Sequence, residues 1–165
     1  MVCDMKEIQI RKNDAGQRLD RFVGKAVPLL PESLLQKYIR LKRIKRNGKG
    51  AKRDVRLVEG DVLQLYINDE FFERPTEQNA WLKIATPRLD IVYEDENILL
   101  ADKKPGVLCH SAGEWSWDTL ISNIQAYLRQ NGQWDPKAEN AFTPALCNRI
   151  DRNTGGIVIA ALSLI

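Results

Sequence analysis

The sequence predicts an α+β protein with two domains, a small basic domain followed by a domain of strands and one helix. Three observations support this prediction. Two stretches near the N-terminus have the apolar spacing of helices, later stretches alternate apolar and polar residues as strands do, and charge is unevenly divided. Residues 1–56 carry 16 Lys and Arg against 6 Asp and Glu, a net charge of +10, whereas the remaining residues have a net charge of −7. We therefore expect domains at residues 1–69 and 89–165, joined by a linker at residues 70–88.

Two short helices are predicted in the first domain. Their apolar stripes are Leu19, Phe22, Val23 and Ala26 in the first helix, and Leu34, Tyr38 and Leu41 in the second. Both sets recur at the three- and four-residue intervals that place side chains on one helix face. Pro31 precedes the second stripe, and proline is well suited to the first turn of a helix.

A tight turn and a strand complete this domain. The dipeptide Asn47-Gly48 is a strong hairpin signal, because both residues tolerate the positive φ angles that such turns require. Farther along, Leu63, Leu65 and Ile67 alternate with polar residues. This alternation predicts a strand with one buried face.

Nine basic side chains lie on the second helix and around the hairpin. They are Lys37, Arg40, Lys42, Arg43, Lys45, Arg46, Lys49, Lys52 and Arg53. A run of charge is usually only a solvated surface, but this run has one sign and is concentrated on one helix and the adjoining turn. Such a surface can follow a phosphate backbone and release its counterions. We therefore expect RNA or another polyanion to bind here rather than a passive surface.

The linker and the start of the second domain contain weaker signals. Residues 68–88 lack a clear period, and Phe71, Phe72 and Trp81 are expected to pack locally. The stretches "DIVYE" and "NILLAD" predict two short strands joined by a turn, and the breaker "KKPG" follows them.

The remaining elements are a helix, a loop and a last strand. Apolar residues at 120, 121, 124 and 128 predict the helix, and the turn residues within 131–145 predict the loop. The stretch "IVIAAL" near the C-terminus predicts the strand.

Several classes of function are disfavoured by the composition. No apolar stretch reaches the roughly 18 residues of a membrane-spanning helix, and the first ten residues do not resemble a secretory signal. The cysteines Cys3, Cys109 and Cys147 are scattered, which is typical of reduced thiols in the cytoplasm and gives no metal-site spacing. His110 is the single histidine, and no phosphate-binding or dinucleotide-binding glycine motif is present. We expect a cytoplasmic protein without metal or cofactor.

The segment "NRIDRNTGG" is the strongest candidate for chemistry. Asp151 lies between Arg149 and Arg152, and two nearby guanidiniums favour an ionised carboxylate, which acts as a base or a nucleophile. Gly155 and Gly156 permit positive φ angles or a close approach of backbone. The simpler alternative is a turn in which Asp151 caps local amides or pairs with an arginine. On these nine residues alone the turn is favoured.

The N-terminal region resembles the S4-type RNA-binding domain. The resemblance covers roughly residues 17–67 and consists of "RLD", two short helices, a basic turn with "RNG" and a closing strand after "EGD". It implies a small αL-like fold that reads structured RNA through shape and phosphate contacts.

The region from about Leu89 to Ala161 resembles the RluA family of RNA pseudouridine synthases. "DIVYEDENILLADKKPGVLCH" is similar to that family's opening motif, and "NRIDRNTGGIVIAA" is similar to its signature "HRLDRDTSGLLLVA". The chain departs from the signature at four positions, Asn148, Ile150, Asn153 and Gly155, and keeps the Arg and Asp residues. The resemblance implies the N-terminal part of a mixed-sheet catalytic domain that isomerises uridine in RNA, most often ribosomal rather than transfer RNA, without a cofactor.

The resemblance also implies roles for three residues. Asp151 matches the essential aspartate, which either attacks C1′ of the ribose or acts as a base at C2′. Arg149 matches the arginine that fills the space left by the flipped uridine, a role suited to a flat cation. Arg152 is assigned only electrostatic support.

Catalytic domains of this family continue well beyond the aspartate motif. We therefore expect a truncated chain with little or no isomerase activity, whose last strand lacks a neighbour on one side. The alternative to an enzyme is a non-catalytic RNA-binding protein that acts through its basic domain. The sequence gives no indication of the oligomeric state.

Overall fold

The computed structural model describes residues 5–111, 116–139 and 142–163, so Cys3 lies outside the described residues. The chain forms two compact units, Met1–Pro75 and Thr76–Ile165, and their boundary falls within the segment expected to be a linker. Each unit contains one four-stranded sheet with helices from the same unit. The α+β class expected from the sequence is confirmed at this level.

The described part of the first unit contains two α-helices, a 3-10 helix at Asp69–Phe72 and a four-stranded sheet. Its strands and α-helices are β1 (Lys6–Gln9), α1 (Leu19–Ala26), α2 (Glu32–Arg40), β2 (Ile44–Arg46), β3 (Lys49–Gly50) and β4 (Val62–Leu65). The strands lie in the order β1-β4-β2-β3. Both predicted helices are confirmed, but α2 ends before Leu41, which is 58% exposed. The chain turns away there because Lys42 has a φ of 58°, and the Arg43 amide donates to the Tyr38 carbonyl at 2.9 Å.

The predicted hairpin turn is confirmed at Asn47-Gly48, where φ is 53° and 81°. The predicted strand is also confirmed, with Leu63 and Leu65 fully buried in β4. Strand β1 pairs along the other side of β4, and sequence reasoning missed it. The alternation of Ile8 and Ile10 was a short signal for this strand.

The described part of the second unit contains one α-helix, a 3-10 helix at Ala80–Lys83 and a four-stranded sheet. Its strands and α-helix are β5 (Ile91–Glu94), β6 (Ile98–Lys103), α3 (Leu120–Gln130), β7 (Ala145–Leu146) and β8 (Gly156–Ala161). The strands lie in the order β5-β6-β8-β7. Every strand pair in the described residues is antiparallel, so the mixed sheet implied by the family resemblance is not seen in them. The expectation that the last strand lacks a neighbour on one side is wrong, because β8 lies between β6 and β7.

One face of this sheet is buried beneath α3. The core combines inward-facing residues of the two central strands with apolar residues of the helix: Leu99, Ala101, Cys109, Leu120, Ile124, Leu128, Trp134, Val158 and Ala160. The helix begins with a capping box between Thr119 and Ser122, which satisfies amides at its N-terminus. Trp81 meets Trp134 edge to face at 5.4 Å, so an aromatic residue of the expected linker completes this core.

Candidate active site and nucleic-acid interface

Two motifs that the sequence presents separately lie side by side in the second unit. The loop after β6, residues 104–109, packs against the loop before β8, residues 148–155. The Gly106 amide donates to the Arg152 carbonyl at 2.7 Å, and the Cys109 thiol lies 3.4 Å from the Ile150 carbonyl. These bonds fix the peptide group before Asp151 and the peptide group after Arg152.

The loop carrying Asp151 is a tight turn held close to its neighbour. The Thr154 amide donates to the Asp151 carbonyl at 3.0 Å. A Cβ atom at Gly155 would lie 3.2 Å from a Pro105 ring carbon and 3.3 Å from the Lys103 carbonyl oxygen. The close backbone approach anticipated for the glycine pair is therefore present at Gly155.

The Asp151 side chain itself is exposed. Within the described residues, its carboxylate neither accepts a hydrogen bond from a backbone amide nor forms an ion pair with Arg149 or Arg152. Both arginines are exposed on the same turn. The alternative predicted from the sequence, in which the Asp151 side chain caps amides or pairs with an arginine, is therefore not seen among the described residues. The loop instead presents an unpaired carboxylate between two exposed guanidiniums.

Lys103 is the principal residue of this site that sequence reasoning missed. It is the last residue of β6, is 1% exposed, and pairs in register with Gly156 at the start of β8. Its ammonium donates to the carbonyl oxygens of Val107 at 2.8 Å, Arg152 at 3.0 Å and Lys104 at 3.2 Å. The signal was the two-residue alternation of β6, which turns position 103 inward with Leu99 and Ala101.

Asn148 has a structural role at the edge of β8. Its side-chain oxygen accepts from the Ile159 amide at 2.7 Å, and its side-chain amide donates to the Ile157 carbonyl at 3.2 Å. The side chain thus replaces a partner strand beyond the two-residue β7. This is the position at which the chain departs from the histidine of the family pattern.

Among the described residues, the hydrogen-bond partner of His110 is Glu77, and no serine or aspartate bonds to its ring. Its Nδ1 atom lies 3.0 Å from the Glu77 carboxylate, and both residues line a cavity of about 290 Å³ together with Gln125. The described residues contain no group of three or more His, Cys, Asp or Glu side chains placed to hold a metal ion.

The nine basic residues of the first unit fall into two sets. Six are exposed: Lys37, Arg40, Lys42, Lys49, Lys52 and Arg53. The other three are engaged within the unit: Arg43 stacks over Tyr38 at 4.2 Å, Lys45 lies 5.5 Å from the Tyr66 ring centre, and Arg46 bonds to Asp61 at 2.8 Å. The first set is free to meet a polyanion, whereas the second also stabilises the unit.

Two open hollows lie on this basic surface, on either side of the segment 51–54. One has a volume of about 640 Å³ and includes Arg40 and Arg53 in its lining, and the other has a volume of about 550 Å³ and includes Lys49. Lys52 contributes to both. Basic residues of α2 and of the hairpin segment therefore line two concave places that share Lys52.

The Asp61 side chain holds the hairpin in place through hydrogen bonds. Its carboxylate accepts hydrogen bonds from the Val58 amide at 2.8 Å, Arg46 at 2.8 Å and Asn47 at 3.0 Å. Burial raises the pKa of Asp61, but these bonds outweigh burial and hold that pKa below its ordinary value. The carboxylate is therefore a charged anchor for the turn.

The chain is similar to known pseudouridine synthases along almost its whole length. It is 32% identical over 158 residues to an RNA pseudouridine synthase of Mycoplasma capricolum, covering 95% of this chain and 50% of that protein. It is 30% identical to ribosomal large subunit pseudouridine synthase C of Rickettsia bellii, with 88% of this chain and 47% of that protein covered. Against synthase D of Neisseria meningitidis the identity is 28%, with coverages of 91% and 37%. All three relatives are named as pseudouridine synthases.

The chain spans about half the length, or less, of the curated relatives it matches. No family model matches it. A crystal structure of pseudouridylate synthase is 18% identical, covers 87% of this chain and 47% of that chain, and has a TM-score of 0.28. A structural likeness of that size carries no argument. Within the residues that the structure describes, no helix is long and apolar enough to cross a membrane.

Proposed function

We propose that the chain is an RNA pseudouridine synthase in which the first unit binds RNA and the second carries the reaction. The observation that carries this proposal is the Asp151 loop. Its carboxylate is exposed and unpaired among the described residues, while its backbone is fixed through Gly106 and Cys109. A fixed backbone with a free side chain is the arrangement that a reacting group requires.

The reaction is an isomerisation that needs no cofactor. The bond between uracil N1 and ribose C1′ breaks, the base rotates, and a bond forms between C5 and C1′, while C5 loses a proton and N1 gains one. Asp151 acts on the ribose, either as a nucleophile at C1′ or as a base at C2′. Both routes need an ionised carboxylate that reaches the sugar.

Arg149 and Arg152 serve the extruded base and the RNA backbone. The target uridine must leave its stack to reach Asp151, at a cost of a few kcal/mol. Arg149 presents a flat cation that fills the vacated space, and Arg152 supports the site electrostatically. The exposed position of both side chains beside Asp151 supports these roles.

The first unit acts as an S4-type RNA-binding domain. Its six exposed basic residues and the two hollows beside segment 51–54 support this assignment. The deep groove of an RNA helix is poorly accessible to side chains, so such a surface reads shape and phosphate positions. Relatives named for the ribosomal large subunit favour ribosomal RNA over transfer RNA as the substrate, and hence action in the cytoplasm.

A non-catalytic RNA-binding function is the second candidate. It is favoured by the fact that the basic surface lies wholly within one compact unit, Met1–Pro75. In that case Asp151 has no chemical role, and the second unit only supports the first.

The substitution Asp151→Asn separates the two candidates. The chain is incubated with unmodified large-subunit ribosomal RNA, pseudouridine is mapped by carbodiimide treatment and primer extension, and RNA affinity is measured by filter binding. The truncated chain is expected to modify RNA weakly at most, and we expect Asp151→Asn to abolish whatever modification is measured and to leave affinity unchanged. Glu96→Gln, which alters another exposed carboxylate of the same unit, is the matched control and is expected to retain modification. Absence of modification by the unaltered chain, with tight RNA binding, would favour the binding protein.

A further inference from the structure

We propose that Lys103 is a positioning residue, whose buried ammonium holds the Asp151 loop in the one arrangement that presents the carboxylate to RNA. The catalytic part of this inference rests on the proposed function. The structural part does not, because it concerns the position of the loop alone.

The first argument is the completeness of the ammonium's bonding. A lysine ammonium has three N–H donors, and Lys103 has three carbonyl oxygens within 3.2 Å, those of Lys104, Val107 and Arg152. The side chain is 1% exposed, so water does not compete for these donors. Each donor therefore has a protein partner.

The second argument is the cost of placing a charge there. A buried ammonium loses its hydration, and an apolar side chain at such a position is often as stabilising or more so. No carboxylate of the described residues pairs with Lys103, so its charge is compensated by backbone dipoles alone. Leu99 and Ala101, the other inward-facing residues of β6, are both apolar. A leucine or methionine at 103 would continue their pattern, so the contribution of the ammonium lies in the geometry it imposes.

The third argument concerns the positions in the chain of the carbonyl groups that accept from Lys103. Two of the three acceptors are in the loop that directly follows Lys103, whereas the third, the Arg152 carbonyl, is 49 residues away in sequence. That carbonyl belongs to the residue directly after Asp151, and it also accepts from the Gly106 amide at 2.7 Å. The ammonium and the amide together fix the peptide group between Arg152 and Asn153, one residue beyond Asp151, and so restrain the turn that carries the Asp151 side chain.

The test compares Lys103→Met with Lys104→Met. Methionine keeps the length of the side chain and removes the ammonium. Lys104 is the adjacent residue, but its ammonium is 62% exposed and pairs with Asp90 and Asp102 at 3.0 Å. The two variants therefore lose the same charge from the same loop, and only Lys103→Met loses the bond to Arg152.

Three measurements are made on both variants after circular dichroism has shown that they fold. Hydrogen exchange of residues 149–156 reports the order of the loop, filter binding reports RNA affinity, and single-turnover modification reports chemistry. We expect Lys103→Met to exchange faster in this segment and to modify RNA about 10- to 100-fold more slowly, because small displacements of a reacting group cost that much. Its RNA affinity should be unchanged, and Lys104→Met should match the unaltered chain in all three measurements.

Unchanged exchange in a folded Lys103→Met variant would overturn the inference, and so would faster exchange with an unaltered rate of modification. If the unaltered chain does not modify RNA, the proposed function fails, and the exchange comparison alone decides whether Lys103 holds the loop. If Lys103→Met does not fold, the unaltered chain is studied by NMR. A scalar coupling across the hydrogen bond, from Lys103 Nζ to the Arg152 carbonyl carbon, supports the inference, and its absence overturns it.

Discussion

The two units of the chain fix their functional loops with buried charges of opposite sign. In the first unit, the Asp61 carboxylate accepts bonds from Arg46, Asn47 and the Val58 amide, and so holds a basic hairpin. In the second unit, the Lys103 ammonium donates to three backbone carbonyls, and so holds the loop of an acidic residue. In both units the charge that fixes the loop is buried and hydrogen-bonded, whereas the charges that we propose to meet RNA are exposed.

The two residues that fix these loops, Asp61 and Lys103, differ in the kind of group they bond to. Asp61 bonds to two side chains, so substitution of Arg46 or Asn47 alters its bonding. Lys103 bonds only to carbonyl oxygens, so no substitution of its partners removes an acceptor. The position of the hairpin therefore depends on particular side chains, whereas the position of the Asp151 loop depends on backbone carbonyl groups that any residue supplies.

The largest effect is expected when the first anchor is removed. Asp61→Ala leaves Arg46, Asn47 and the Val58 amide without their shared acceptor, at an expected cost of about 2 to 4 kcal/mol in the free energy of unfolding. Urea denaturation, followed by a probe within the first unit, measures this cost. Glu59→Gln, an exposed carboxylate two residues away, should change stability by less than about 0.5 kcal/mol. Equal stability of the two variants would show that Asp61 is not an anchor.

A smaller loss of stability of the first unit is expected when the pH is lowered. Because the pKa of Asp61 is lowered in the folded unit, its contribution to stability is complete above the unfolded value, near 3.8, and is lost as pH falls through the folded pKa. Denaturation of the first unit between pH 5 and about pH 2 should therefore show a loss of stability that is reduced in Asp61→Asn. Identical pH dependences of the two proteins would contradict this assignment.

The smallest effect is expected from a single exposed cation. Arg53→Met should lower RNA affinity about threefold to fivefold and reduce the slope of log affinity against log salt by about one, since one phosphate contact is lost. Its stability should be unchanged. Arg46→Met should instead lower the stability of the first unit, because Asp61 loses a partner at 2.8 Å. If the two variants behave alike, the division of the basic residues into exposed and engaged sets is wrong.

Elements with strong local periodicity could be predicted from the sequence. The stripes of α1 and α3, the Asn47-Gly48 turn and the alternation of β4 each lie within one short window, and each is present. The two-residue β7 has no such window. Its pairing with β8 is completed by Asn148, whose role depends on Ile157 and Ile159, and no local pattern of "CNRI" contains that information.

The candidate site shows the same limit. Asp151 and its flanking arginines were identified because the sequence segment resembles a known motif. Lys103 was not, because its significance depends on the Arg152 carbonyl, which is reached only when β6 and β8 pair. The burial alternation of β6 contained the information that position 103 faces inward, but not the identity of its partner.

The close approach at Gly155 has a mechanical consequence. Because no space remains between this backbone and Pro105, and the Gly106 amide is bonded to Arg152, the two loops form a single stiff part. Tightly packed protein is nearly incompressible and transmits small displacements. The turn Lys104–Gly106 is exposed, and a displacement of that turn would be transmitted to the Asp151 backbone.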